Sequence, residues 1–286
     1  MTNLATTPHA AAPTTRSRAR FIDVIASEWM KLWSLRSTFW VLLLSALGAI
    51  VVNLNAAYAD YRNYPDYDAV TRAAFTPAWA AWDAFTSIAA TLVILAMSSV
   101  GAISVVGEYS TGQNRTSFAA VPARGAVVTA KIVVMTVVTT TFGAAVAGVS
   151  FWATQAILSG RHAGISLGEP GALRLVVGSA LLAPLSALIG MALGALIRTT
   201  AATIVTATLL LLILPTAMND NKYWAALLAH TLPRVAWGRL TEIQPGAGPA
   251  TIASFPWTAG GAWTVYAAWA AASILVAVVS VQRRDQ

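Results

Sequence analysis

A polar, Gly-punctuated and positively charged stretch, GEYSTGQNRTSFAAVPARGAVVTAK at residues 107–131, lies between two long apolar runs. Glu108 and Arg115 place opposite charges close to those apolar stretches, which suits a polar docking surface. Ser110 and Gln113 have capping-box spacing, so a short helix can begin there, and Pro122 with Gly125 would break it before the next apolar run. The same residues fit equally well a solvated loop whose arginines only fix topology. Chemistry of the catalytic kind finds no pattern to support it. No G-x-x-x-x-G-K-[ST] loop is present to cradle nucleotide phosphates, and the Gly-rich stretch GAGPATIAS at 246–254 lacks the lysine. His9, His162 and His230 are scattered without ligand spacing, and cysteine is absent. The expectation is a chain that is not an enzyme, with no metal or cofactor of its own.

The elements that must position the 107–131 segment are apolar. Of 286 residues, 57% are hydrophobic and 10% charged, where soluble domains carry about 25% charged. Six apolar runs can be read, at about 38–57, 84–106, 127–158, 172–197, 201–217 and 262–281. Each suffices to cross a hydrocarbon core of about 30 Å. The fold class expected is therefore an all-α integral membrane protein with six transmembrane helices. The third run exceeds a single crossing, and the fifth is the shortest, with Pro215 marking its end.

The centres of all six runs lack Asp, Glu, Lys, Arg and His. Ion-coupled secondary carriers use such groups to hold the coupling ion, so that class is disfavoured and the energy source is expected outside this chain. Asp83, Lys131 and Arg174 lie at run ends and read as anchors that snorkel to water. The intramembrane polar residues are neutral, and Asn53, Asn55, Ser98 and Gln155 are candidates to line a pathway. Small residues recur at close-packing spacing in Gly143/Ala147 and in Ser186/Gly190/Gly194, for packing within the chain or for a dimer face.

Orientation follows from charge. An even number of crossings puts both termini on one side. If that side is the cytoplasm, the inner segments hold eleven of the 18 Lys and Arg, and the longer outer segments hold seven. That bias is the one that sets topology, and it makes 107–126 cytoplasmic. The net charge of +7 is accounted for by cytoplasmic loops and anionic headgroups rather than by nucleic acid. Residues 1–20 are Ala/Thr/Pro-rich and read as a disordered tail, with no signal-peptide pattern ahead of the first run. The remainder, 21–286, reads as one transmembrane domain.

Residues 21–36, FIDVIASEWMKLWSLR, form an amphipathic helix. Ile22, Ile25, Ala26, Trp29, Leu32 and Trp33 share one face, Asp23, Ser27, Lys31 and Ser34 the other, with Glu28 at the boundary. Two tryptophans and flanking arginines such as Arg36 place this helix in the inner interface. On the outer side, the KYWAALLAHTL and VAWGRLTEI pieces of the long 219–261 loop have helical spacing but are too short to span. They read as interfacial or re-entrant helices.

SEWMKLWSLRSTFW before the first run, GEYSTG followed by Arg115 and PARG, Lys131, and a last run ending QRRDQ together resemble the actinobacterial ABC-2 type permeases. LPRVAWGRLTE followed by FPWTAGGAW is similar to the segment before that family's last span, so the resemblance covers about residue 21 to the C-terminus. It implies a six-span permease subunit in the plasma membrane that works as a homodimer or as a heterodimer with a second permease. Two separate ATPase subunits, carrying the ATP and Mg, would drive it from the cytoplasm. It further implies that Glu28, Trp29, Lys31, Trp33 and Arg36 belong to an elbow helix. Glu108, Tyr109, Ser110, Thr111, Gly112, Arg115 and Arg124 would form a short coupling segment against the ATPase. The rival class is a membrane scaffold or sensor that anchors a cytoplasmic partner.

Overall fold

The structure is a computed structural model that describes residues 20–111, 124–218, 222–243, 255 and 257–284. Among these residues the chain is all-helical, and six helices are long and apolar enough to cross a membrane. It is a multi-pass membrane protein.

Helix α1 (Phe21–Ser34) ends where Leu35 adopts an extended backbone, and α2 (Arg36–Asn63) begins at once in a new direction. A short 3-10 turn leads to α3 (Ala69–Ala74), and a π-helical turn at Phe75–Trp79 leads to α4 (Ala80–Asp83). The long helices α5 (Ser87–Thr111), α6 (Arg124–Ser159) and α7 (Ala172–Ile197) follow. The fifth crossing is α8 (Thr200–Thr208) continued through a π turn into α9 (Leu214–Ala217). Two short helices, α10 (Tyr223–His230) and α11 (Pro233–Thr241), precede the last crossing, α12 (Ala259–Arg284). Helices α10 and α11 fall on the two loop pieces whose spacing is helical.

Helix α7 is the centre of the bundle, flanked by α5, α6 and α12. It meets α5 at Ala187, Gly190 and Gly194, and the contact there is backbone to backbone. A Cβ at Gly101 would overlap the carbonyl oxygen of Ala187, and one at Gly190 would overlap that of Ser98. The two helices therefore touch reciprocally: on each, a glycine lies three residues after the carbonyl that the other helix's glycine meets. On the other flank, a Cβ at Gly143 of α6 would overlap the carbonyl oxygen of Ala180. Pro184 lies four residues after Ala180 and has no N–H, so it frees that carbonyl from the helical ladder. The Gly143 Cα–H faces it instead, a weak hydrogen bond of the kind common between helices. The small-residue spacing is thus spent on packing within the chain.

At the end of the bundle near α10 and α11, backbone carbonyls are tied down by long side chains. Arg174 donates to the carbonyls of Leu240 and Glu242, Tyr266 OH donates to Gly178 O, and Trp269 Nε1 donates to Thr231 O. Arg174 is thus a brace for α11, where the sequence suggested a snorkelling anchor.

Candidate functional site

At the opposite end, α1 packs against α6. Its buried residues are Val24, Glu28 and Leu32, spaced i, i+4 and i+8 along one stripe. A carboxylate therefore occupies the middle of the buried stripe. Glu28 is only 3% exposed, not a boundary residue, and the side chains that reach it explain why. Lys31, one turn along α1, meets Glu28 Oε1 at 2.6 Å, and Lys131 from the first turns of α6 meets Oε2 at 2.6 Å. Glu108, near the end of α5, takes the same two lysines on its Oε1, at 3.2 Å from Lys31 and 2.8 Å from Lys131. Lys131 also donates to the Ser104 carbonyl at 3.3 Å.

Two acids and two lysines from three helices thus form a partly buried cluster with no net charge. Burial works against the Lys31 ammonium, but hydrogen bonds to Glu28 and Glu108 and their charges outweigh it. They hold Lys31 above the ordinary lysine range. Lys131 accordingly turns into the protein rather than out to water. Beside Glu108, the ring of Tyr109 lies under the Arg198 guanidinium, 4.4 Å from it. Arg198 sits in the left-handed region, φ 62°, and closes α7 by donating its N–H to Gly194 O. The dipeptide Glu108–Tyr109 therefore touches α1, α6 and the turn between α7 and α8.

The remaining expected coupling residues divide by position. Ser110 and Thr111 close α5, and Arg124 opens α6. Gly112 and Arg115 lie outside the described residues, so the Glu108–Arg115 pairing is not placed; the partners of Glu108 in the structure are the two lysines. Trp29 and Trp33 lie on the exposed face of α1 with rings 5.9 Å apart, and exposed Arg36 opens α2.

Three of the four pathway candidates hold helices together within the chain. Asn53 is 2% exposed; its Nδ2 donates to Ser150 Oγ, and its Oδ1 accepts from the Thr86 N–H and hydroxyl. Gln155 Nε2 donates to Ala80 O, and its Oε1 accepts from the Ile165 N–H. Ser98 is buried in the α5–α7 seam. Asn55 alone is exposed, on the outer side of α2. A cavity of about 30 Å³ beside Asn53 and Ser150 is the size of one or two waters, not of a cargo. Asp83, read from sequence as a snorkelling anchor, is 3% exposed. Its carboxyl lies against that of Asp60, and Oδ2 has no hydrogen-bond partner among the described residues.

Sequence reasoning had each member of the charged cluster but not the cluster. The i, i+3 spacing of Glu28 and Lys31 was a legible local pair. The clue to the rest was a lysine placed inside the apolar run of α6, a costly position unless a carboxylate comes to meet it.

No family model and no curated protein matches this chain.

Proposed function

We propose that the chain is the permease half of an ATP-binding-cassette exporter, working as a dimer and driven by separate ATPase subunits. The observation that carries this reading is the Glu28–Lys31–Glu108–Lys131 cluster. It welds the GEYSTG segment to the helix before the first span and to the start of the third, all at one end of the bundle. A push on the segment after Glu108 reaches α1 and α6 directly, which is what a transport subunit powered from outside requires.

In this reading that end is cytoplasmic, and both termini lie with it. Helix α1 is the elbow helix, with Trp29 and Trp33 at headgroup level. Residues 107–126 form the coupling segment, on which a partner ATPase holding ATP and Mg would dock. The cargo pathway lies between two permease copies rather than inside one. The small size of the cavity beside Asn53 supports that placement, as does the use of Asn53, Gln155 and Ser98 in helix packing. Exposed Asn55 would then face the partner permease or the pathway.

The orientation is tested with single cysteines at Gln113 and Gly246 of this cysteine-free chain. An impermeant thiol reagent applied to intact cells is expected to label position 246 and leave 113 unmodified until the cells are opened. The reverse pattern would overturn the placement of the coupling segment.

A further inference from the structure

Below the charged cluster, α1, α5 and α6 enclose a cavity of about 240 Å³. Its walls are of two kinds. One is apolar, formed by Leu35, Ile103, Val134 and Met135, and two of these, Leu35 and Ile103, are also exposed. The other is polar, and its hydrogen-bonding character is one-sided. Lys131 directs its ammonium to Glu28, Glu108 and the Ser104 carbonyl, and Lys31 directs its own to Glu28 and Glu108. Ser34 Oγ donates away to Lys31 O, and Ser104 Oγ donates to Gly101 O, which leaves lone pairs on both hydroxyls. Both lysine bonds to Glu108 fall on Oε1, so among the described residues its Oε2 remains as a carboxylate acceptor on the cavity wall. A polar wall with acceptors to spare, joined to an apolar wall with an exposed edge at Leu35 and Ile103, points to one chemistry.

We infer that this cavity binds the ammonium end of an amphiphilic amine drawn from the adjacent leaflet. The ammonium donates to Glu108 Oε2 and the serine hydroxyls, and the apolar part leaves past Leu35 and Ile103. The ammonium could be the headgroup of an aminophospholipid or that of a free long-chain amine. A headgroup of net negative charge does not fit, because the lysines are already engaged and the remaining carboxylate oxygen would repel it. The inference goes beyond the transport reading and stands without it, since it depends only on the chain lying in a bilayer.

A variant that fills the site without touching the cluster is available. A Cβ at Gly107, which lines the cavity, meets nothing within 4 Å among the described residues, so Gly107→Leu grows toward the cavity and exchanges a poor helix former for a good one. Ser34→Trp narrows the cavity from α1 as a second plug, and Glu108→Gln removes the charge of the acceptor.

The full chain is reconstituted in vesicles of equimolar phosphatidylethanolamine and phosphatidylcholine with identical acyl chains. Lipid retained after detergent extraction is counted by native mass spectrometry. The wild type is expected to retain phosphatidylethanolamine over phosphatidylcholine by about tenfold, the size of one charge-assisted hydrogen bond. Gly107→Leu and Ser34→Trp should lose that retention with an unchanged thermal unfolding midpoint, and Glu108→Gln should lose the preference. In phosphatidylcholine vesicles with added dodecylamine, retention of the amine without retention of phosphatidylethanolamine in the first arm identifies a free amine as the occupant. Displacement of retained phosphatidylethanolamine by dodecylamine identifies the lipid. Equal retention of all three by the wild type overturns the inference, as does an ammonium preference that survives in both folded plug variants.

Discussion

Lys131→Met is expected to destabilise the folded chain by about 3–5 kcal/mol, the cost of removing one partner from a buried ion pair. Glu28 depends on it. That carboxylate is 3% exposed, and each of its oxygens has one lysine, so loss of Lys131 leaves Oε2 charged, buried and unpaired. Glu108 would lose the shorter of its two ion pairs at the same time. Adding Glu28→Gln to Lys131→Met should recover much of the loss, because an amide in place of the stranded carboxylate removes the desolvated charge and not merely a contact. Lys131→Arg should fall between the two, since the charge is kept but the fork must fit a site shaped for a compact ammonium. Thermal unfolding in detergent, followed by tryptophan fluorescence for the two single variants and the double, gives the coupling energy. If Lys131→Met unfolds at the wild-type temperature, the cluster is hydrated and contributes nothing to the fold.

Gly190→Leu is expected to separate α5 from α7 and to cost at least the about 1–3 kcal/mol of ordinary overpacking. The obstacle is the Ser98 carbonyl of a facing helix, not the flexible tip of a side chain, so relaxation means moving a helix that runs through the centre of the bundle. Gly101→Leu should behave alike, because Gly101 meets the Ala187 carbonyl one turn away in the same seam. Gly148→Leu is the internal control. Nothing lies within 4 Å of a Cβ there, and the residue is on the exposed side of α6. Replacing that glycine should be neutral or stabilise by up to about 1 kcal/mol through helix propensity. Yield and monodispersity after extraction from membranes report all three. Equal behaviour of Gly190→Leu and Gly148→Leu would show that the seam has room to spare.

The crossings were legible because they rest on a one-dimensional signal, the length of an apolar run. The run 172–197 coincides with α7, Ala172–Ile197. Edges drifted where helix continues into polar residues: the run 38–57 is part of Arg36–Asn63, which extends through Asp60, Arg62 and Asn63, side chains compatible with helix but not with hydrocarbon. Contacts between distant parts of the chain left no such trace. Lys131 and Glu28 are 103 residues apart, and neither residue's neighbours announce the other. A helical-wheel reading put Glu28 at the edge of α1 because it scores side chains against water or lipid, and its environment is two lysines. Likewise the spacing of Gly143, Ser186, Gly190 and Gly194 announced close approach of backbones, but only the fold says which backbone approaches which.

The cluster also changes how the coupling proposal should be tested. Glu108→Arg would remove the carboxylate that pairs Lys31 and Lys131, put a cation in its place and disturb the fold whatever the partner does. Arg115→Glu is the cleaner probe, because the cluster at Glu108 stays complete. The decisive measurement is therefore ATP hydrolysis by the tagged full chain, purified in mild detergent from membranes of its own host, with the wild type and Arg115→Glu compared. The permease reading predicts vanadate-sensitive hydrolysis that co-elutes with the wild type through a nucleotide-binding subunit. It also predicts that Arg115→Glu loses that activity by about tenfold or more while expressing and unfolding normally, as befits a charge at a docking contact. Wild-type preparations that carry no hydrolysis above background, or full activity retained in Arg115→Glu, would contradict it.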